Sequence, residues 1–262
     1  MVHLNPSALR LTGYSARMTE LLHPRPMNRS VLAFVTVALA LMYALCVMMF
    51  AARVRNSGEW TYFFVPGNLA LAWLPLLFAI LCHQLSETTT PLRRTLAVAS
   101  GALWLLFLPN APYVLTDLQH YQDSPLIAGW YDGLMLGAFV ATGMLLGLFS
   151  LYLMHGVLAK QAGATASWIV MLAAMPLCGF GIYVGRVLRW NSWDAIVAPG
   201  TLVADLTRVA TDPLMRSEAF AMTVGFGAFL AASYVTLYAI AAIGSPVGRG
   251  MHDHATTPDP AR

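Results

Sequence analysis

Leu108-Pro109-Asn110-Ala111-Pro112-Tyr113 closes one long apolar run and is followed at once by Thr116, Asp117, His120, Tyr121 and Asp123. A proline lacks an N–H and clashes with the carbonyl four residues back, so two of them break the helical hydrogen-bond ladder here. In lipid, the carbonyls freed by such a break are tolerated only where protein or a wet cavity surrounds them. The bend is therefore expected to face the interior of the molecule and to assemble a polar site there.

The surrounding runs are read as membrane spans from composition and length. Of the 262 residues, 58% are hydrophobic and 10% are charged, where a soluble domain carries about 25% charged residues. Several runs of about 20 residues contain no Asp, Glu, Lys or Arg, enough for each to cross a roughly 30 Å hydrocarbon core. The expected fold class is all-α: a polytopic integral membrane bundle of six transmembrane helices, with a Pro-broken third helix and one interfacial helix between spans five and six. Residues 1–29 read as a cytoplasmic N-terminal tail, 30–244 as the transmembrane domain and 245–262 as a disordered C-terminal tail.

Outward from the bend, the spans are expected near 31–52, 65–84, 95–112, 133–155, 166–187 and 219–243. The first is too long for the apolar segment of a cleaved signal peptide and follows too long a basic stretch, so it stays as a span. The fourth is rich in Gly and Ala, as helices in close backbone contact tend to be. In the fifth, Pro176 predicts a kink, and Gly181 and Gly185 form a small-xxx-small pattern. Between spans five and six, Leu202, Val203, Leu206, Val209 and Ala210 recur at helical spacing, the pattern of a short amphipathic helix lying in the interface. Cys46, Cys82 and Cys178 sit inside apolar runs and read as packing. His83 at a span end reads as interfacial, and His252 and His254 as part of a solvated tail.

The net charge of +3 reads as topology information. No Lys/Arg run with interleaved aromatics appears, so no nucleic acid is expected as a partner. Placing the tails in the cytoplasm puts Arg10, Arg17, Arg25, Arg29, Arg93, Arg94, Lys160, Arg249 and Arg262 inside, against Arg53, Arg55, Arg186, Arg189, Arg208 and Arg216 outside. The basic start and an acidic loop without Lys or Arg (116–132) agree with that orientation. The expected location is the cytoplasmic (inner) membrane, with both termini cytoplasmic and the bend at the outer face.

If helix resumes after Pro112, Tyr113, Asp117 and either His120 or Tyr121 share one face. Asp117 and His120 are the candidate acid/base pair. His120 and Asp123, three residues apart, can work in proton transfer or hold a divalent ion. No full set of metal ligands is present. The second half of the site comes from Arg186-Val-Leu-Arg189-Trp190-Asn191-Ser192-Trp193-Asp194. On a helix, Arg186, Arg189, Trp190 and Trp193 fall within one stripe about 100° wide, with Asp194 on its edge. Guanidinium forks suit phosphate or carboxylate, and Asp117, Asp123, Asp132 or Asp194 could pair with them inside the protein. Asn110, Tyr113, Arg186, Arg189, Asn191, Asp194 and Asp132 are the candidate binding residues.

The segment around 105–120, Trp130-Tyr131-Asp132, and Gly185 through Asp194 together resemble the bacterial membrane family of domain of unknown function 1361 over roughly residues 65–243. The resemblance implies that Pro109, Asn110, Pro112, Tyr113, Asp117, His120, Asp132, Arg186, Arg189, Asn191 and Asp194 match its signature positions. It implies no activity and no cofactor. Three readings stay open: binding or processing of an anionic lipid-linked substrate, a structural subunit for a protein partner, and an uncoupled transporter or channel. Membrane lipids are expected partners in each.

Overall fold

The structure, a computed structural model, describes residues 24, 27–87, 90–122 and 124–243. The C-terminal tail with His252 and His254, the N-terminal tail apart from residues 24 and 27–29, and Asp123 lie outside the described residues. The first span is α1 (Arg29–Ser57). The second (Val65–Ser86) divides into α2 (Val65–Leu71) and α3 (Trp73–Ser86). The third (Pro91–His120) divides into α4 (Pro91–Phe107), α5 (Asn110–Tyr113) and a 3-10 helix (Val114–His120). The fourth is α6 (Gly129–Ala162) and the fifth α7 (Ala164–Arg186). Two short helices, α8 (Asp194–Val197) and α9 (Pro199–Thr211), precede the last span, α10 (Pro213–Ile243). Six helical stretches are thus long and apolar enough to cross a membrane, and the described residues contain no strand.

Local signals set the helix limits, which reach beyond the apolar runs. At the start of α1 the Asn28 side chain accepts the Val31 N–H at 2.8 Å, and Gly58, with φ of 74°, stops the helix. The break between α2 and α3 falls at Ala72 because Pro75 has no N–H to offer the Leu71 carbonyl. This interruption of the second span was not expected from the sequence.

The most buried span is α6. It packs against α1, α2, α3, α5, the 3-10 helix, α7 and α10. Its neighbours turn large apolar side chains such as Phe34, Val98, Ile169 and Phe220 outward, as lipid-facing surfaces do. Helices α7 and α10 pack backbone to backbone. A Cβ on Gly179 would stand 2.6 Å from the Thr223 carbonyl oxygen, and one on Gly227 would stand 2.8 Å from Pro176 Cα. Backbones approach this closely only where side chains are missing.

Candidate functional site

The third span bends as its prolines require. Leu108 N–H still reaches the Trp104 carbonyl at 2.8 Å, after which Ala111 N–H turns to Leu108 at 3.2 Å. The Phe107 carbonyl takes the Asn110 side-chain amide instead, at 3.0 Å. The bend is buried, as expected: Ala111, Pro112 and Val114 are inside the bundle. Glycines of two helices receive it. A Cβ on Gly143 of α6 would meet the Ala111 carbonyl oxygen at 2.8 Å, and one on Gly147 would meet Ala111 Cβ at 3.0 Å. From the other side, a Cβ on Gly181 of α7 would fall on the Pro109 ring, and one on Gly185 would lie 3.3 Å from the Tyr113 ring. The small-xxx-small pattern of the fifth span is therefore the seat of the bend.

Beyond Tyr113 the chain tightens into the 3-10 helix. At three residues per turn, positions 114, 117 and 120 lie above one another. Asp117 and His120 therefore share a side and both meet Arg186, at the end of α7. The Arg186 Nη1 stands 3.9 Å from Asp117 Oδ1 and 3.5 Å from the Tyr113 hydroxyl. Its Nη2 contacts His120 Nε2. A guanidinium only donates, so His120 accepts at Nε2 and is the neutral tautomer with its proton on Nδ1. The His120 ring also packs edge-on against Phe64, with centroids 5.1 Å apart. Asp117 is 1% exposed. Its Oδ2 accepts the Asn68 amide at 2.9 Å, while Oδ1 accepts no hydrogen bond.

The expected helical stripe through Arg186, Arg189, Trp190 and Trp193 does not form, because α7 ends at Arg186. Arg189 adopts a left-handed φ of 61°, a conformation usually left to glycine at a helix end. Trp190 N–H then folds back to the Val184 carbonyl at 3.2 Å. This turn directs the segment across the bent third span. Ser192 Oγ accepts the Asn110 amide at 3.0 Å, and Asp194 Oδ2 holds the Asn191 backbone and side-chain amides at 2.7 and 3.1 Å. Trp190 Nε1 donates to Asp205 of α9 at 3.0 Å. The apolar stripe of α9 is only partly as expected. Leu202 and Leu206 face inward and Val209 packs beside Tyr183 and Ala219, whereas Val203 points away and is 61% exposed.

Between these segments lies a cavity of about 960 Å³. Asn110, Tyr113, His120, Arg186, Arg189 and Asn191 line it, so six of the nine candidate residues come together. Its apolar part is formed by Leu71, Leu106, Phe180, Val184, Leu202 and Leu206. No lining residue among those described carries a carboxylate, and Arg189 has no ion-pair partner among the described residues. Asp117 stands behind Arg186, and Asp194 braces the loop from the rim. Asp132 belongs elsewhere: it is a partner of Arg53 of α1, with Nε to Oδ1 at 2.8 Å and Nη2 to Oδ2 at 3.1 Å. Among the described residues no group of three or more His, Cys, Asp or Glu could hold a metal ion.

The sequence reading missed Asn68 and Ser192, which hold Asp117 and Asn110. An amide four residues into the apolar second span is the available signal for Asn68. Arg53, in the sequence a topology marker, is in the structure the counterion of Asp132.

Fold and composition define the class, a multi-span helical membrane protein. Within that class, the chain belongs to the family described as protein of unknown function (DUF1361), whose model matches residues 68–232. The match includes both halves of the cavity. No curated protein and no solved structure matches the chain.

Proposed function

We propose that the cavity binds the anionic headgroup of an amphiphile drawn from the membrane. The observation that carries this reading is the lining: two guanidiniums, an imidazole and several amides with no carboxylate among them. Arginine forks match phosphate or carboxylate oxygens in bidentate geometry. The cavity also grades from polar to apolar. From Arg186 to Phe180 is six residues of α7, roughly 9 Å at 1.5 Å per residue, and that distance leads from the arginine pair to aliphatic and aromatic side chains. A soluble anion has no use for the apolar end, and a hydrocarbon has none for the polar one.

Tyr113 and His120 then serve as orienting partners of Arg186, Asn191 keeps one side-chain N–H for the headgroup, and Asn110, whose two N–H groups go to Phe107 and Ser192, positions the loop. The distribution of Lys and Arg supports a cytoplasmic-membrane protein with both tails inside and the cavity at the outer face. The test is lipid analysis of the full chain purified in a mild nonionic detergent, wild type beside Arg189→Ala. An anionic lipid retained by the wild type and lost from the variant is the expected result. Equal retention in both, or no anionic lipid in either, would remove the reading.

A further inference from the structure

We propose that Asp117 makes the cavity selective for a singly charged headgroup, a phosphodiester rather than a terminal phosphomonoester. This rests on the anion-site reading above and goes one step past it.

The argument is a local count of charge. Arg186 and Arg189 are the charged residues lining the cavity. His120 adds none, because it accepts a hydrogen bond from Arg186. Asp117 is the carboxylate within ion-pair distance of either arginine among the described residues. The Asn68 amide donates to its Oδ2 at 2.9 Å and Arg186 stands 3.9 Å from its Oδ1, so as a carboxylate it offsets one of the two guanidinium charges. The other acidic groups nearby are already engaged. Asp205 is paired with Arg208 at 3.5 Å and takes the Trp190 N–H. Asp194 is half-buried, lies outside the lining and has one carboxylate oxygen taken up by the two amides of Asn191. The seat therefore offers a ligand close to one net positive charge.

An ion's dehydration cost climbs with the square of its charge, whereas its attraction to a fixed site climbs only in proportion. A seat of one net charge thus compensates one ligand charge well and a second one poorly. A phosphodiester keeps a single charge across the neutral range, but a phosphomonoester approaches two above its second pKa of about 6. Asp117 is also placed to act without touching the ligand. It is buried behind Arg186, outside the lining, and the isosteric Asn keeps an acceptor for Asn68, the lining residue it holds, so Asp117→Asn changes chiefly the field in the cavity. On this view it is a specificity-determining residue working through Arg186.

Dihexanoyl phosphatidic acid and its methyl ester, dihexanoyl phosphatidylmethanol, share their chains and differ by one methyl group and one charge. Their dissociation constants for the full chain in nonionic detergent at pH 8 provide the test. Wild type is expected to bind the methyl ester more tightly. In Asp117→Asn the ratio is expected to move toward the acid by roughly tenfold or more, the scale of one unit charge about 12 Å away or nearer at an effective dielectric near 20. A wild type that prefers the acid overturns the proposal, and so does an unchanged ratio in folded Asp117→Asn. The wild-type ranking needs no variant, so it decides the matter even where Asp117→Asn fails to fold. If neither lipid binds, or if Arg189→Ala binds both as wild type does, the anion-site reading itself falls and takes this one with it.

Discussion

Asp132 and Asp117 are buried to the same degree, 1% exposed each, and each faces an arginine from a distant span, yet the two pairs are built differently. The Arg53 guanidinium meets Asp132 through two hydrogen bonds, adds the Glu59 carbonyl at 3.2 Å and the Glu59 carboxylate at 3.4 Å, and lies over the Tyr62 ring at 4.7 Å. Four of its five N–H donors are engaged and its side chain is 1% exposed. Arg186, by contrast, is 20% exposed, stands 3.9 Å from its carboxylate and borders a cavity. One Asp117 oxygen is left without a hydrogen bond. The contrast teaches how to tell a lock from a site where composition is identical: a lock saturates its guanidinium, whereas a site leaves charge and space for something else.

The sharpest way to break this contrast is to make the same substitution at both places. Arg53→Ala leaves the buried Asp132 without its counterion, Asp132→Asn leaves the buried Arg53 with only the half-exposed Glu59, and each is expected to cost about 3–5 kcal/mol. Loss of monodisperse protein by size-exclusion chromatography and a lower thermal midpoint in detergent would register it. Next in size is the cradle of the bend. Gly181→Val drives a branched side chain into the Pro109 ring, and overpacking of this kind costs about 1–3 kcal/mol, read by the same thermal scan. Smallest is Asp117→Asn. It keeps the shape and removes a carboxylate whose one oxygen is unsatisfied, so the thermal midpoint should move by no more than about 1 kcal/mol in either direction. If Asp117→Asn proves as damaging as Asp132→Asn, both pairs are locks and the cavity loses its special standing.

Much of this arrangement could be read without coordinates. Spans were legible because length and apolar character are properties of one continuous stretch. The site was legible because Pro109, Pro112, Asp117 and His120 lie within twelve residues, and Arg186, Arg189 and Asn191 within six. Pairing across the chain was not. Nothing local to Arg53 points to Asp132, 79 residues away, and nothing near Asn68 points to Asp117. The arginine stripe failed for a different reason. Helical periodicity projects residues onto a wheel only while the helix continues, and Arg189 leaves it by turning left-handed. The glycines of α6 and α7 were visible as composition, but only the bend opposite them gives each one its purpose.

The Arg53–Asp132 pair also sets a timetable for biogenesis. The guanidinium belongs to the first of the six described spans, and its counterion opens the fourth. At a synthesis rate of about 5–20 residues per second, the intervening 79 residues take roughly 4–16 s to emerge. Through that interval Arg53 has only Glu59, six residues on, as a counterion, and its bidentate contact with Asp132 can close only when α6 arrives.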